Sequence, residues 1–124
     1  MPLDPLIQQQ VLNWLLVGSN VTRPGGRFLS FATGSPNQTG GSDGPYSPRQ
    51  TATFAAANSP QGSATNNAAF SNTATAIATA LGWNLYESNA AGRRIAYGTM
   101  AASVGAASGD TMAFAVGALK ITLT

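Results

Sequence analysis

The 124-residue chain contains no cysteine and no histidine. The first absence excludes disulfides, thiolate catalysis and Cys-ligated metals. The second removes the commonest general base and a major metal ligand. Charge is scarce as well: four Asp and Glu and six Lys and Arg make 8% of the residues, against a usual ~25%. Ala, Thr, Ser, Asn and Gly stand in their place, so much of the surface must be neutral and polar. Such a surface suits a subunit packed among copies of itself or larger neighbours, where every buried charge would need a partner. The basic residues Arg23, Arg27, Arg49, Arg93, Arg94 and Lys120 are scattered. They form no nucleic-acid footprint, and no nucleic-acid partner is expected. The longest apolar run, residues 11–17 with Asn13 inside it, is too short to cross a bilayer, so no membrane partner is expected. The first residues lack the basic start and small-residue cleavage site of a signal peptide, which argues against export by a secretion signal.

The length fits one domain spanning residues 1–124. Asp4-Pro5 is a helix-opening pair, with Asp4 as cap and Pro5 in the first turn. Leu3, Ile7, Val11, Trp14 and Leu15 recur at helical spacing, Leu6, Leu12 and Leu16 widen the stripe, and Gly18 is a stop signal. This pattern predicts an amphipathic helix over 4–17. Its stripe either covers the domain's own core or docks on a neighbouring subunit. After Arg27 the period changes to two. Strands are expected at 27–33 and 49–57, separated by a long polar loop at 34–48. A turn is expected at 58–64; residues 65–80 then read as a strand pair around Phe70 and Ile77 or a helical turn at their Ala-rich end, with Thr73, Thr75 and Thr79 favouring strand. Leu81, Trp83 and Leu85 alternate with Gly82, Asn84 and Tyr86 as a half-buried strand. Residues 88–92 reverse the chain, and Arg93 to Thr99 return with Ile95 and Tyr97 on one face. Gly109-Asp110 marks a further turn. Met112, Phe114 and Val116 alternate, Gly117 interrupts, and Leu119, Ile121 and Leu123 resume to the last residues. The expected fold is all-β, an antiparallel β-sandwich or small barrel with one N-terminal amphipathic α-helix.

No constellation for chemistry emerges. The four acidic residues are Asp4, Asp43, Glu87 and Asp110, one at a helix cap and three in or beside turns. Nothing in their spacing suggests a paired-carboxylate site. A Ser nucleophile would have no His, and Lys120 lies within a strand pattern. The segment GSPNQTGGSDG lacks the GK[ST] ending of a phosphate loop. One carboxylate there, Asp43, is a turn residue before it is a Ca²⁺ ligand. No catalytic, cofactor-binding or metal-binding residue is therefore assigned. Trp83 reads as core because it shares a face with Leu81 and Leu85. Tyr46, between Pro45 and Pro48, reads as an anchor for its loop, on the body or on a neighbour. Arg93 and Arg94 face opposite sides of a strand. One is placed to pair with Glu87, the other to meet an acidic partner.

The hairpin WNLYESNAAGRRIAYGTM, followed by SGDTMAFAVGALKITLT, resembles the ending of small tailed-phage proteins often labelled tail fibre protein. Glu87, Gly92, Tyr97, Gly98, Gly109, Asp110, Phe114, Gly117, Ala118, Leu119, Ile121 and Leu123 occupy the family's turn and core positions. The Leu-rich opening, Pro24, Tyr46 with Arg49, and Asn67 with Phe70 extend the resemblance toward the start. The first strand, FLSFATGSP, and the Ala- and Thr-rich stretch 71–80 depart from the pattern. The resemblance implies a structural component of the virion, made in the bacterial cytoplasm. Related β proteins decorate or cement phage heads. The leading expectation is therefore a capsid decoration or cement protein, with the major capsid protein or copies of itself as partners. The alternative is a tail or tail-fibre component contacting the host receptor. Leu6, Ile7, Trp14, Tyr46, Arg93 and Arg94 are the candidate subunit-contact residues.

Overall fold

The computed structural model describes residues 3–20, 24–37, 43–46, 48–57 and 63–122. Leu123 and residues 38–42 and 58–62 of the expected strand and loops lie outside them. The element order is α1 (Pro5–Val17), β1 (Phe28–Ala32), β2 (Gln50–Thr51), β3 (Ser63–Thr65), β4 (Phe70–Thr73), β5 (Ala78–Tyr86), β6 (Arg94–Ala106), β7 (Thr111–Phe114) and β8 (Lys120–Thr122). Pairing is antiparallel throughout, in a four-stranded sheet β2-β1-β5-β6 and two ribbons, β3-β8 and β4-β7. The fold is the expected all-β sandwich with one N-terminal helix.

The helix forms for the anticipated reasons. The Asp4 carboxylate accepts the Leu6 N–H at 3.1 Å, Pro5 sits in the first turn, and Gly18 closes the helix at φ +79°. The core lies between the large sheet and the β4-β7 ribbon. Leu29, Phe31, Trp83 and Leu85 come from the sheet, and Phe70 and Met112 from the ribbon. Phe31 is the hub: its ring lies 5.3 Å from Phe114, 5.7 Å from Phe70 and 5.8 Å from Tyr46. Each such pair contributes about 0.5–1.5 kcal/mol beyond its buried area. Asn66 closes the other end. Its amide donates to the Ala68 and Ala115 carbonyls and accepts the Leu119 N–H, fixing the turn that delivers Leu119 to the core.

Several expectations need correction. The strand foreseen at 49–57 shrinks to Gln50–Thr51 because the chain changes sheets there. Ala52 N–H bonds back to Arg27, and Ala55 N–H bonds onward to Thr65. The turn foreseen at 58–64 ends early, since Ser63 and Ala64 already pair with Thr122 and Ile121. Ile77 is not a strand centre. It sits in the bend before β5 and is 86% exposed. Val116 is likewise exposed, in the turn that Gly117 closes. Leu81 leaves the Trp83–Leu85 face because the β5-β6 register breaks between Ala80 and Gly82. At that break β6 advances from Thr99 to Val104 while β5 moves only from Gly82 to Ala80. The returning strand therefore runs to Ala106, not Thr99.

A second shift, between Leu85 and Tyr86, leaves Ile95 as an extra residue on β6. Such a bulge reverses the side-chain alternation beyond it. Ile95 and Tyr97 are consequently on different faces, against expectation. Tyr97 stands opposite Asn84, while Ile95 lines a groove with Leu85. The same bulge puts Arg94 and Tyr97 on one face, with the guanidinium 4.4 Å from the ring centroid.

Candidate functional site

The two adjacent arginines tie the helix to the β5-β6 hairpin. Arg93 Nε meets Glu87 Oε2 at 2.8 Å, its backbone N–H donates to Glu87 Oε1, and its Nη1 donates to Gln10 of α1 at 2.7 Å. These bonds to Arg93 hold the Glu87 carboxyl below the usual glutamate range. Arg94 Nε meets Asp4 Oδ2 at 2.9 Å, and its two terminal nitrogens donate to Asn84 Oδ1 and the Asn37 carbonyl. Its side chain is only 8% exposed. Arg93 is thus the pairing partner foreseen for Glu87. Arg94 finds its acidic partner inside the chain, at the helix cap. The chain start completes the attachment, with Leu3 bridging Ala96 and the Asp4 N–H donating to the Ile95 carbonyl at 2.8 Å.

A second polar knot pins the long loop. Asp43 Oδ1 accepts from Asn84 Nδ2 and from the Tyr86 hydroxyl, both at 3.1 Å, and Asp43 Oδ2 meets Arg49 at 3.4 Å. The Arg49 guanidinium lies 3.4 Å from the Tyr86 ring centroid and donates to the Ser88 and Ala91 carbonyls of the hairpin turn. Burial, together with the Asp43 charge and hydrogen bond, pushes the Tyr86 hydroxyl up to about 12, with Arg49 and Arg94 pulling the other way. Tyr46 anchors the same loop to the body. It bridges Ala74, packs on Phe31, and has a buried hydroxyl without a hydrogen-bond partner. Burial raises that hydroxyl's pKa. Trp83, 2% exposed, is a core residue as expected.

The helix presents the remaining candidates. None of its residues is buried. Ile7 and Val11 are half-buried over a groove of about 600 Å³ whose walls include Trp14, Phe54, Leu85 and Ile95. Leu6, Leu12, Trp14, Leu15, Leu16 and Val17 are between 47% and 79% exposed. Leu6 and Trp14 are therefore exposed, Ile7 borders the groove, and Tyr46, Arg93 and Arg94 are engaged within the fold. Sequence reasoning missed the Asp43 knot, whose members are far apart in the chain and carry no motif. It also missed Phe54 and Ile95 as groove walls, which depend on the sheet change and the bulge.

Among the described residues no three His, Cys, Asp or Glu side chains come together, and no helix is long and apolar enough to cross a membrane. Fold and surface together define a small antiparallel β-sandwich protein that carries an uncovered apolar helix at its flank. That class is broad, but the sequence narrows it: the chain belongs to the Gp80 family, described as podophage GP4 fiber I protein gp80, whose profile matches residues 4–122. No curated protein matches it. The match supports the resemblance to phage structural proteins and names fibres, not head cement.

Proposed function

We propose that this protein is a fibre component of a podophage particle and acts through binding contacts alone. The family match over residues 4–122 carries the reading. It favours the tail-fibre alternative over the capsid cement role that the sequence first suggested. The mechanics agree with a subunit. The ionic groups of Asp4, Asp43 and Glu87 are matched by arginines within the fold, and the apolar helix is left outside it. Contacts that exist only in the assembled particle stabilise that assembly by mass action. The partners are other particle proteins or further copies of the chain, and no reaction is assigned to it.

Location within the particle is the test. Reconstruction of purified virions, with gold-labelled antibody against this chain, is expected to place it on a fibre attached near the tail. Label spread over the head shell would restore the cement reading. Turnover of peptidoglycan or cell-surface polysaccharide by the purified chain would overturn the assignment to binding alone.

A further inference from the structure

Arg27 stands just ahead of β1, and its carbonyl is held by the Ala52 N–H at 2.9 Å. Its guanidinium has no carboxylate side chain to meet. All four are engaged elsewhere: Asp4 with Arg94, Asp43 with Arg49, Glu87 with Arg93, and Asp110 with the Ala107 N–H. Among the described residues the Arg27 side chain makes no hydrogen bond or ion pair. Lys120 also lacks a carboxylate, but it is exposed to water, whereas Arg27 is partly buried. Arg27 lines the groove under α1, together with Ile7, Val11, Trp14, Leu85 and Ile95. A cation partly withdrawn from water beside apolar walls, with no partner, is a costly arrangement that a bound anion relieves.

We propose that this groove binds a single-chain anionic amphiphile, its alkyl chain along the apolar walls and its carboxylate or phosphate on Arg27. Two observations choose that occupant. The first is charge complementarity. The groove holds one cation and no carboxylate. A guanidinium takes a carboxylate or phosphate through two parallel N–H···O bonds, and apolar walls strengthen that attraction. A ligand without charge would leave Arg27 as it stands. The second is shape. A cavity of about 600 Å³ lies within the roughly 300–1,000 Å³ of small-molecule sites, which pair apolar walls with a few polar groups. Ile7, Val11 and Trp14 follow one another at i, i+4 and i+7, so they line about 10 Å of the helix axis. That is a narrow apolar strip, suited to an extended alkyl chain. A bilayer surface would meet the outer side of α1 and not this concave inner side. Interfacial helices also carry Lys or Arg on a polar face, and α1 has neither.

The site goes beyond the fibre reading and is tested separately from it. Trp14 lines the groove and Trp83, the other tryptophan, is buried in the core, so intrinsic fluorescence reports occupation of the groove. Titration of the full chain with decanoate, kept below its micelle concentration, is expected to saturate with a micromolar dissociation constant, checked by calorimetry. Decyl phosphate should bind comparably, and decanol at least tenfold more weakly. Arg27→Gln should weaken decanoate to the decanol level and leave decanol itself unchanged. Val11→Gln, on the apolar wall, should weaken both. Lys120→Gln should change neither, because Lys120 lines a different cavity. Circular dichroism and thermal melting confirm that each variant is folded; if Arg27→Gln unfolds, decanoate against decanol on the wild type decides. Failure of the wild type to bind decanoate and decyl phosphate would overturn the proposal. So would decanol binding as tightly as decanoate, a folded Arg27→Gln chain with wild-type affinity, or binding to anionic vesicles alone. None of these results moves the protein's location in the particle.

Discussion

Arg94 is the residue on which most of the polar architecture converges. It neutralises the helix cap at Asp4, satisfies the buried Asn84 amide oxygen, and stacks on Tyr97. Truncation to Met would strand a carboxylate that is 15% exposed and a fully buried amide. Arg94→Met is expected to cost about 2–3 kcal/mol, below the ~3–5 of a fully buried pair because Asp4 keeps some water. Urea titration measures it. Arg94→Lys should recover less than half, since an ammonium cannot reproduce the fork or the stacking. Asn66→Ala should cost about 1–3 kcal/mol, because the buried Leu119 N–H loses its acceptor and two part-buried carbonyls lose a donor. Two groups set the pH limits. Glu87 has a depressed pKa when folded, so its contribution is complete above its unfolded value of 4.5 and fades as pH falls below it. Glu87→Gln should flatten that acid slope. Tyr86 is the reverse. Its raised pKa leaves stability intact below 10 and erodes it as pH climbs from 10 toward 12. Tyr86→Phe should reduce that alkaline loss, read by urea titration over the same pH range.

At the scale of elements, the β5-β6 pair decides the most. Gly82 lies under Pro36 and against the Gly98 carbonyl, and a Cβ there would run into both. Gly82→Ala is therefore expected to destabilise by about 1–3 kcal/mol, read by thermal melting. The same pair shows where the sequence was legible. The helix was readable because Asp4, Pro5 and Gly18 punctuate a periodic stripe. The hairpin was readable because Trp83 and Leu85 alternate with polar neighbours up to the SNAAG turn. The bulge at Ile95 was not readable, because no residue in RRIAY signals an extra position in the ladder. It depends on how β6 meets Tyr86, and it alone sends Tyr97 to the face of Arg94. The run from Ala101 to Gly105 escaped notice as strand because small residues show no alternation. The candidate contact set divides on similar lines. Leu6 and Trp14 follow from helical spacing. The inward fate of Arg94 depends on a long-range meeting with Asp4, which no local pattern encodes.

At the scale of the whole molecule, the uncovered helix makes association depend on apolar contact. Sodium chloride from low to physiological strength should therefore leave retention of the chain on purified particles unchanged within a factor of about two. Sulfate, excluded from protein surface, should strengthen association. Sedimentation across both salt series checks the pair of outcomes, and a steep loss with chloride would point instead to an ionic interface.

The pairing of Asp4, Asp43 and Glu87 with Arg94, Arg49 and Arg93 also bears on how quickly subunits find one another. With these opposite charges cancelled at contact distance, little field reaches outward to guide an approaching molecule. Encounters then rely on chance orientation, on the order of 10⁵–10⁶ M⁻¹s⁻¹, with no electrostatic acceleration. Swift incorporation would have to come from crowding many subunits into a small volume during synthesis.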